Sequence, residues 1–461
     1  MNRERSDSSV DPPQTPQPPL LQPQRSLFTN TVFAVMGTGF FHGCQLGIVM
    51  LLNKFASPDV TGQYFFALAV ATPVVLLFGL ELRGALVADA GGQFSVGAYH
   101  ALRGRAMLAA AVVLAGVAAW RAVVEPQTAF VLILVGVFAA RLAWGVAEVG
   151  WGTYQRRERL DLFAVSYVLR GVVSLGPFAI LLPYFAWYRR AGGETVAWAT
   201  GTAVLLYAAG FFLVYVLFDR PRVLSRAHWD VSWDWGVLRR LVVQTFPLGL
   251  VALSINLCDS FPRWLFESEL VPNGRAQLGY FGSLAYITLA GNLIIIQAAT
   301  AAANRLALYY QRDLRAFLRL GSGLTVLALA VGSVVLVLAV VFGRWFLSVL
   351  YTPDYVQFER EFLIIVGAHC LALLTNIFGA TTTQMRLFWI QVPVQVITLG
   401  ATVTAAVLLI PGETPVLGGA LTLAVRAVVQ FVLYTLCMAG GVVFRERILE
   451  QRARLVGSPS E

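Results

Sequence analysis

"SGLTVLALAVGSVVLVLAVVF", residues 322–342, runs for 21 positions without a charged side chain. A helix needs about 20 apolar residues to cross the hydrocarbon core of a bilayer. Inside lipid, every backbone N–H and C=O must be satisfied within the protein, which leaves helices and closed barrels as the spanning structures. Runs of this kind recur from residue 27 to residue 442, in a chain of 461 residues that is 57% hydrophobic and only 13% charged. The runs are continuous and lack the alternation of a barrel strand. The sequence therefore predicts an all-α polytopic membrane protein.

Twelve spans are predicted, at 27–52, 64–89, 104–123, 128–150, 162–185, 195–218, 241–265, 278–302, 322–349, 362–380, 388–410 and 417–442. Of the 34 basic residues, all but Lys54 are arginine, and the net charge is +9. With both termini cytoplasmic, 22 fall on the inner side and eight on the outer. That bias is the positive-inside rule, and it accounts for the basic charge without nucleic acid as a partner. The remaining four, Arg83, Arg141, Arg170 and Arg426, lie within spans.

Residues 1–26 are rich in Pro, Gln and Ser and lack an apolar core, so a disordered cytoplasmic tail is predicted and no cleavable signal peptide. A second cytoplasmic tail is predicted for 443–461. The segment 219–240 is predicted as a cytoplasmic linker, with Trp229, Trp233 and Trp235 lying at the interface. Cys44, Cys258, Cys370 and Cys437 fall in apolar segments at spacings that suit neither a disulfide framework nor zinc.

"YFFALA" at 64–69 returns as "YFGSLA" at 280–285, each opening the second span of a six-span half. The expected domains are thus bundles at 27–218 and 241–442, related by an axis along the membrane normal, with substrate held between them in a central cavity. The same offset pairs Glu81 with Gln297.

Several stretches resemble the Wzx-like bacterial polysaccharide (O-antigen) flippases of the superfamily that includes the MATE exporters and the lipid II flippase. "FASPDVTGQYFFALAVATPV" (55–74) is similar to their first loop and second helix, and "LELRGALVADAGGQFSVGAYHALR" (80–103) to their second loop. "FPLGLVALSINLCDSFPRWLFE" (246–267), "LSVLYTPDYVQFEREFLIIV" (347–366) and the paired final spans from 391 to 424 extend the likeness over most of the chain. The resemblance implies two six-helix bundles around a V-shaped cavity and transbilayer movement of undecaprenyl-pyrophosphate-linked oligosaccharide. It implies an inner-membrane location, surface polysaccharide biosynthesis, and lipids and polysaccharide assembly enzymes as partners.

A charge at mid-bilayer costs roughly 2.5–3.5 kcal/mol on insertion scales, so each should face a cavity or a partner. The candidates for the substrate cavity are Arg83, Arg141, Arg170, Arg426, Glu81, Glu148, Asn256, Asp259, Arg263, Asn292 and Gln297. Guanidinium groups suit a pyrophosphate because their planar fork donates paired hydrogen bonds. The competing reading ties each arginine to a carboxylate. Arg141 and Glu148 share a helix face, and Asp259 and Arg263, four apart, can pair directly. In "FGLELRGALVADA" (78–90), a continuous helix would turn Glu81 and Arg83 about 200° apart. Arg83 is then the one expected on the substrate path.

Two other functions fit less well. A cation-coupled multidrug exporter would expose acid in the spans, where arginines here outnumber carboxylates. A membrane-embedded polymerase or glycosyltransferase would need a large outer loop or a metal motif. The outer loops are short, and neither Asp-x-Asp nor His-Glu-x-x-His occurs among so few histidines, His42, His100, His228 and His369. No enzyme activity, metal or cofactor is expected.

Overall fold

A computed structural model describes residues 27–89, 93–188, 192–224, 234–385 and 387–447. Its helices are α1 (Leu27–Phe55), α2 (Pro58–Gly79), α3 (Leu82–Ala88), α4 (Val96–Val124), α5 (Thr128–Arg156), α6 (Leu160–Pro183), α7 (Gly193–Val214) and α8 (Arg220–Leu224) in the first half. The second half holds α9 (Trp235–Phe266), α10 (Gly274–Ile287), α11 (Leu289–Arg312), α12 (Leu314–Leu350), α13 (Glu359–Gln384), α14 (Phe388–Leu409) and α15 (Pro415–Val443). The N-terminal tail, Trp229, Trp233 and most of the C-terminal tail lie outside the described residues. Trp235, which opens α9, is 70% exposed, with the Arg105 guanidinium 6.0 Å from its ring centre.

Helix starts follow ordinary capping chemistry. The Ser57, Ser95, Asp234 and Asp313 side chains each accept a backbone N–H of the first turn of α2, α4, α9 and α12.

Eleven helices among the described residues are long and apolar enough to cross a membrane. The remaining predicted span, 278–302, is a broken crossing. Arg275, at the start of α10, pairs with Glu125 between α4 and α5, while the backbone carbonyl of Tyr310 near the end of α11 accepts from Arg445 beyond α15. The pair α10–α11, parted at Thr288, therefore joins opposite faces of the molecule. The described chain begins and ends on one face, here the terminal face; the other, which holds the end of α1, is the distal face.

The predicted span 64–89 needs correction. α2 begins at Pro58, and the helix breaks at Leu80 and Glu81, whose φ values of 51° and 49° are left-handed. Non-glycine residues take that conformation only under compensation. Arg103 supplies part of it, because its Nη1 donates to the freed carbonyl of Gly79 at 3.0 Å. Glu81 thus stands at a break and not on a helix face, so the 200° argument does not apply to it.

The two copies of the repeated hexapeptide lie on the two helices that bring the halves together. α2 packs along α10 so closely that a Cβ on Gly62 would fall 1.8 Å from the carbonyl oxygen of Arg275, and one on Gly279 2.1 Å from that of Pro58. Only glycine fits either position. α2 also packs on α9, and the Trp264 indole donates to the Ala69 carbonyl at 3.1 Å. On the terminal side, Leu238 and Leu241 of α9 join Leu82, Leu86 and Leu102 in a small apolar core.

Candidate substrate cavity

Between the halves lies a cavity of about 630 Å³. α1, α2, α5 and α7 face it from one side, and α9, α10, α11, α13, α14 and α15 from the other. Its charged lining consists of Arg141, Arg263, Arg426 and Asp259. At 1.5 Å per residue, Arg141, Arg426 and Arg263 stand about 20, 16 and 5 Å from the distal ends of their helices.

Asp259 accepts a hydrogen bond from Arg426 Nη1. It does not pair with Arg263, as the four-residue spacing had suggested. Among the described residues, no carboxylate lies within ion-pair distance of Arg141 or Arg263. Arg263 Nε is buried without a hydrogen-bond partner, and its guanidinium sits 6.0 Å from the Phe65 ring centre. Three guanidiniums facing one carboxylate leave the lining with a positive excess, contributed by both halves.

Asn256 and Asn292 also line the cavity. Asn256 Nδ2 donates to the Ala252 carbonyl at 3.0 Å, and Asn292 Oδ1 accepts from Asn376 Nδ2 at 3.0 Å. The side chain of Gln297 lies outside the described residues.

The remaining candidates stand elsewhere. Arg170, expected on a cationic path, is fully buried and ion-paired with the equally buried Asp219 at 2.7 Å. Ser166 accepts from Arg170, Tyr154 donates to Asp219 at 3.3 Å, and the Trp151 ring lies 5.0 Å from the guanidinium. A charge so enclosed needs a fixed partner, and Asp219 is it. Glu148 is bound by Arg103 and not by Arg141. Arg83, the residue expected on the path, reaches Gln155 Oε1 at 3.4 Å and stacks 5.4 Å from the Phe163 ring centre, outside the cavity lining. Glu81 is exposed at the helix break and likewise lines no part of it.

Sequence reasoning missed His42, Gln45, Trp144, His369, Gln395 and Gln430, all of which face the cavity. Helical spacing held part of the signal. Trp144 follows Arg141 by three positions, and Gln430 follows Arg426 by four, so each pair shares a face.

On the distal face an ion-pair network crosses between the halves. Arg275 binds Glu125 and, at 2.6 Å, Glu267; Arg121 stands 3.5 Å from Glu267. The hydrogen bonds from Arg275 hold the Glu125 carboxyl below the usual carboxylate range. Asn53, Ser283 and Tyr355 are hydrogen-bonded together beside this network.

The fold and the site define a polytopic α-helical membrane protein with a cationic chamber between two halves. Among solved structures, the lipid II flippase MurJ in an inward closed conformation shares the fold, with a TM-score of 0.66 at 8% identity, over 93% of this chain and 94% of that one. An inward-facing multidrug resistance MATE transporter of the MOP superfamily gives 0.64 at 12% identity, over 92% and 99% of the two chains. In sequence, the chain is 22% identical to the capsular polysaccharide biosynthesis protein CapF of Staphylococcus aureus over 396 residues, 85% of this chain and 94% of that protein. No family model matches the chain.

Proposed function

We propose that the protein flips lipid-linked oligosaccharide, a sugar unit carried on undecaprenyl pyrophosphate, across the bacterial inner membrane for surface polysaccharide biosynthesis. The observation that carries this reading is the pair Arg141 and Arg263, one from each half, facing the cavity without a carboxylate partner among the described residues. A desolvated guanidinium calls for an anion, and a pyrophosphate offers oxygens to both. A cationic drug would meet repulsion from the same groups, which disfavours a multidrug exporter. The similarity to CapF, a capsular polysaccharide biosynthesis protein, points to the same class of cargo.

The bundles 27–218 and 241–442 act as the two moving bodies. The terminal face, where the basic loops gather, is cytoplasmic. Cargo enters from that side with the distal network closed; separation of Arg275 from Glu125 and of Arg121 from Glu267 then opens the outer side. The protein works as a carrier and not as an enzyme, and the polysaccharide assembly enzymes that receive its cargo are candidate partners.

The test in cells is surface polysaccharide production by a strain carrying Arg141→Gln together with Arg263→Gln. The expected result is loss of surface polysaccharide with wild-type amounts of the protein in the membrane. Wild-type polysaccharide in that strain refutes the reading.

A further inference from the structure

One wall of the cavity is largely neutral and polar. Besides Arg426, the wall formed by α11, α13, α14 and α15 carries Asn292, His369, Asn376, Gln395, Gln430 and Tyr434. None of these six is an acid, lysine or arginine. Gln430 and Tyr434 follow Arg426 on one face of α15, about 6 and 12 Å further toward the terminal face. The neutral wall thus begins beside Arg426 and extends away from it and from Arg263 toward the terminal face.

Two buried atoms on this wall, His369 Nε2 and Gln395 Oε1, have no hydrogen-bond partner among the described residues. Their residues are only 8% and 3% exposed. A buried polar atom left unpaired is costly and needs a partner from outside the chain. The other groups are half-used. Gln395 Nε2 donates to the Tyr434 hydroxyl at 3.0 Å, which leaves that hydroxyl its own proton to give. The Asn292–Asn376 bond leaves Asn292 a free amide donor and Asn376 a free carbonyl acceptor. The wall therefore offers donors and acceptors together, without charge, beside the Tyr434 ring.

We propose that this wall is a saccharide subsite, which holds the hydroxyls and acetamido groups of the sugars nearest the diphosphate while the guanidiniums hold the diphosphate itself. Hydroxyl groups donate and accept at once, and a wall of amides with a phenol matches that need where more arginines would not. The inference rests on the flippase reading and deepens it, because the wall, and not the cationic end, selects among glycans.

The experiment measures binding of two probes to the purified full-length protein in nanodiscs: bare undecaprenyl diphosphate, and the same lipid bearing the oligosaccharide repeat of the source organism. The variants are Asn376→Ala, whose side chain is exposed to the cavity, and Asn376→Ala with Gln430→Ala. Unfolding temperature serves as the control for folding. The expected result is a loss of about tenfold in affinity for the glycosylated lipid in the double variant, with bare undecaprenyl diphosphate held within about twofold of wild type. Arg141→Gln should weaken both lipids alike. Equal weakening of both lipids by the wall variants, or unchanged affinity for the glycosylated one, overturns the subsite. Wild-type protein that binds neither lipid overturns the flippase reading, and the subsite with it.

Discussion

Asp259 is held by Arg426 of α15 and not by Arg263, four residues further along its own helix. That choice neutralises one guanidinium of the cavity and leaves another open to cargo. It also makes Asp259 a brake, since removal of Arg426 leaves an unpaired carboxylate in the chamber. Arg426→Gln is expected to weaken binding of undecaprenyl diphosphate more than the double change Arg426→Gln with Asp259→Asn. A double-mutant cycle on binding affinity should return a coupling of about 1–3 kcal/mol. Additive effects would mean that the pair is not coupled.

The buried pair Arg170–Asp219 is predicted to serve the fold and not the cargo. Removing one partner of a buried ion pair costs roughly 3–5 kcal/mol, whereas replacing both with apolar residues of similar volume is often near neutral. Arg170→Met alone should lower the unfolding temperature and the amount of protein in the membrane. Arg170→Met with Asp219→Leu should restore much of both. A single variant of unchanged stability that abolished transport would return Arg170 to the cargo path.

The distal network should respond to acid. The pKa of Glu125 is depressed in the folded protein by the hydrogen bonds from Arg275. Its contribution is therefore fully present above the ordinary carboxylate pKa, and it is lost as pH falls through the depressed value. Acidification on the distal side should loosen the closure, and Glu125→Gln should do so at neutral pH. These groups are partly exposed, so an effect of about 1 kcal/mol is expected, roughly a fivefold rise in the distal-open population. Distances between spin labels on the α4–α5 and α9–α10 loops report it. Unchanged distances in Glu125→Gln would show that the network does not hold the closure.

The break at Leu80–Glu81 should depend on Arg103, which binds both the Gly79 carbonyl and Glu148. Arg103→Ala frees that carbonyl and leaves Glu148 unpaired. Destabilisation of about 3 kcal/mol or more is expected, read as a lowered unfolding temperature. A smaller loss in Arg103→Lys than in Arg103→Ala would indicate that the charge matters as well as the fork.

Most of the membrane topology was legible in the sequence because apolar length is a local property. The break in the second span was not. Two left-handed residues in an apolar run leave no periodic trace, and Arg103, which steadies them, reads as the end of a loop. The cavity was legible in part for a related reason. Arg141, Arg426, Asn256, Asp259, Arg263 and Asn292 line one chamber because their helices carry them to the junction of the halves. Arg170 and Arg83 share the same residue type but answer to Asp219 and Gln155, partners far along the chain that no spacing rule could reveal. Asp219 in particular reads as a loop residue until α7 is seen to run on through a π-helical turn, Tyr215–Asp219, which carries it beneath Arg170.

Arg141 and Arg263 are expected to hold an anionic, lipid-linked cargo during its passage. The most direct measurement is the rate at which glycosylated undecaprenyl diphosphate changes leaflet in proteoliposomes of the wild type and of Arg141→Gln with Arg263→Gln. Each charge-assisted hydrogen bond lost is worth about 1.5–3 kcal/mol, so the double variant should lose roughly a hundredfold or more of the wild-type rate while keeping its unfolding temperature. Equal rates in the two proteins, or a wild type that leaves the lipid in its original leaflet, would rule out that role for the two arginines.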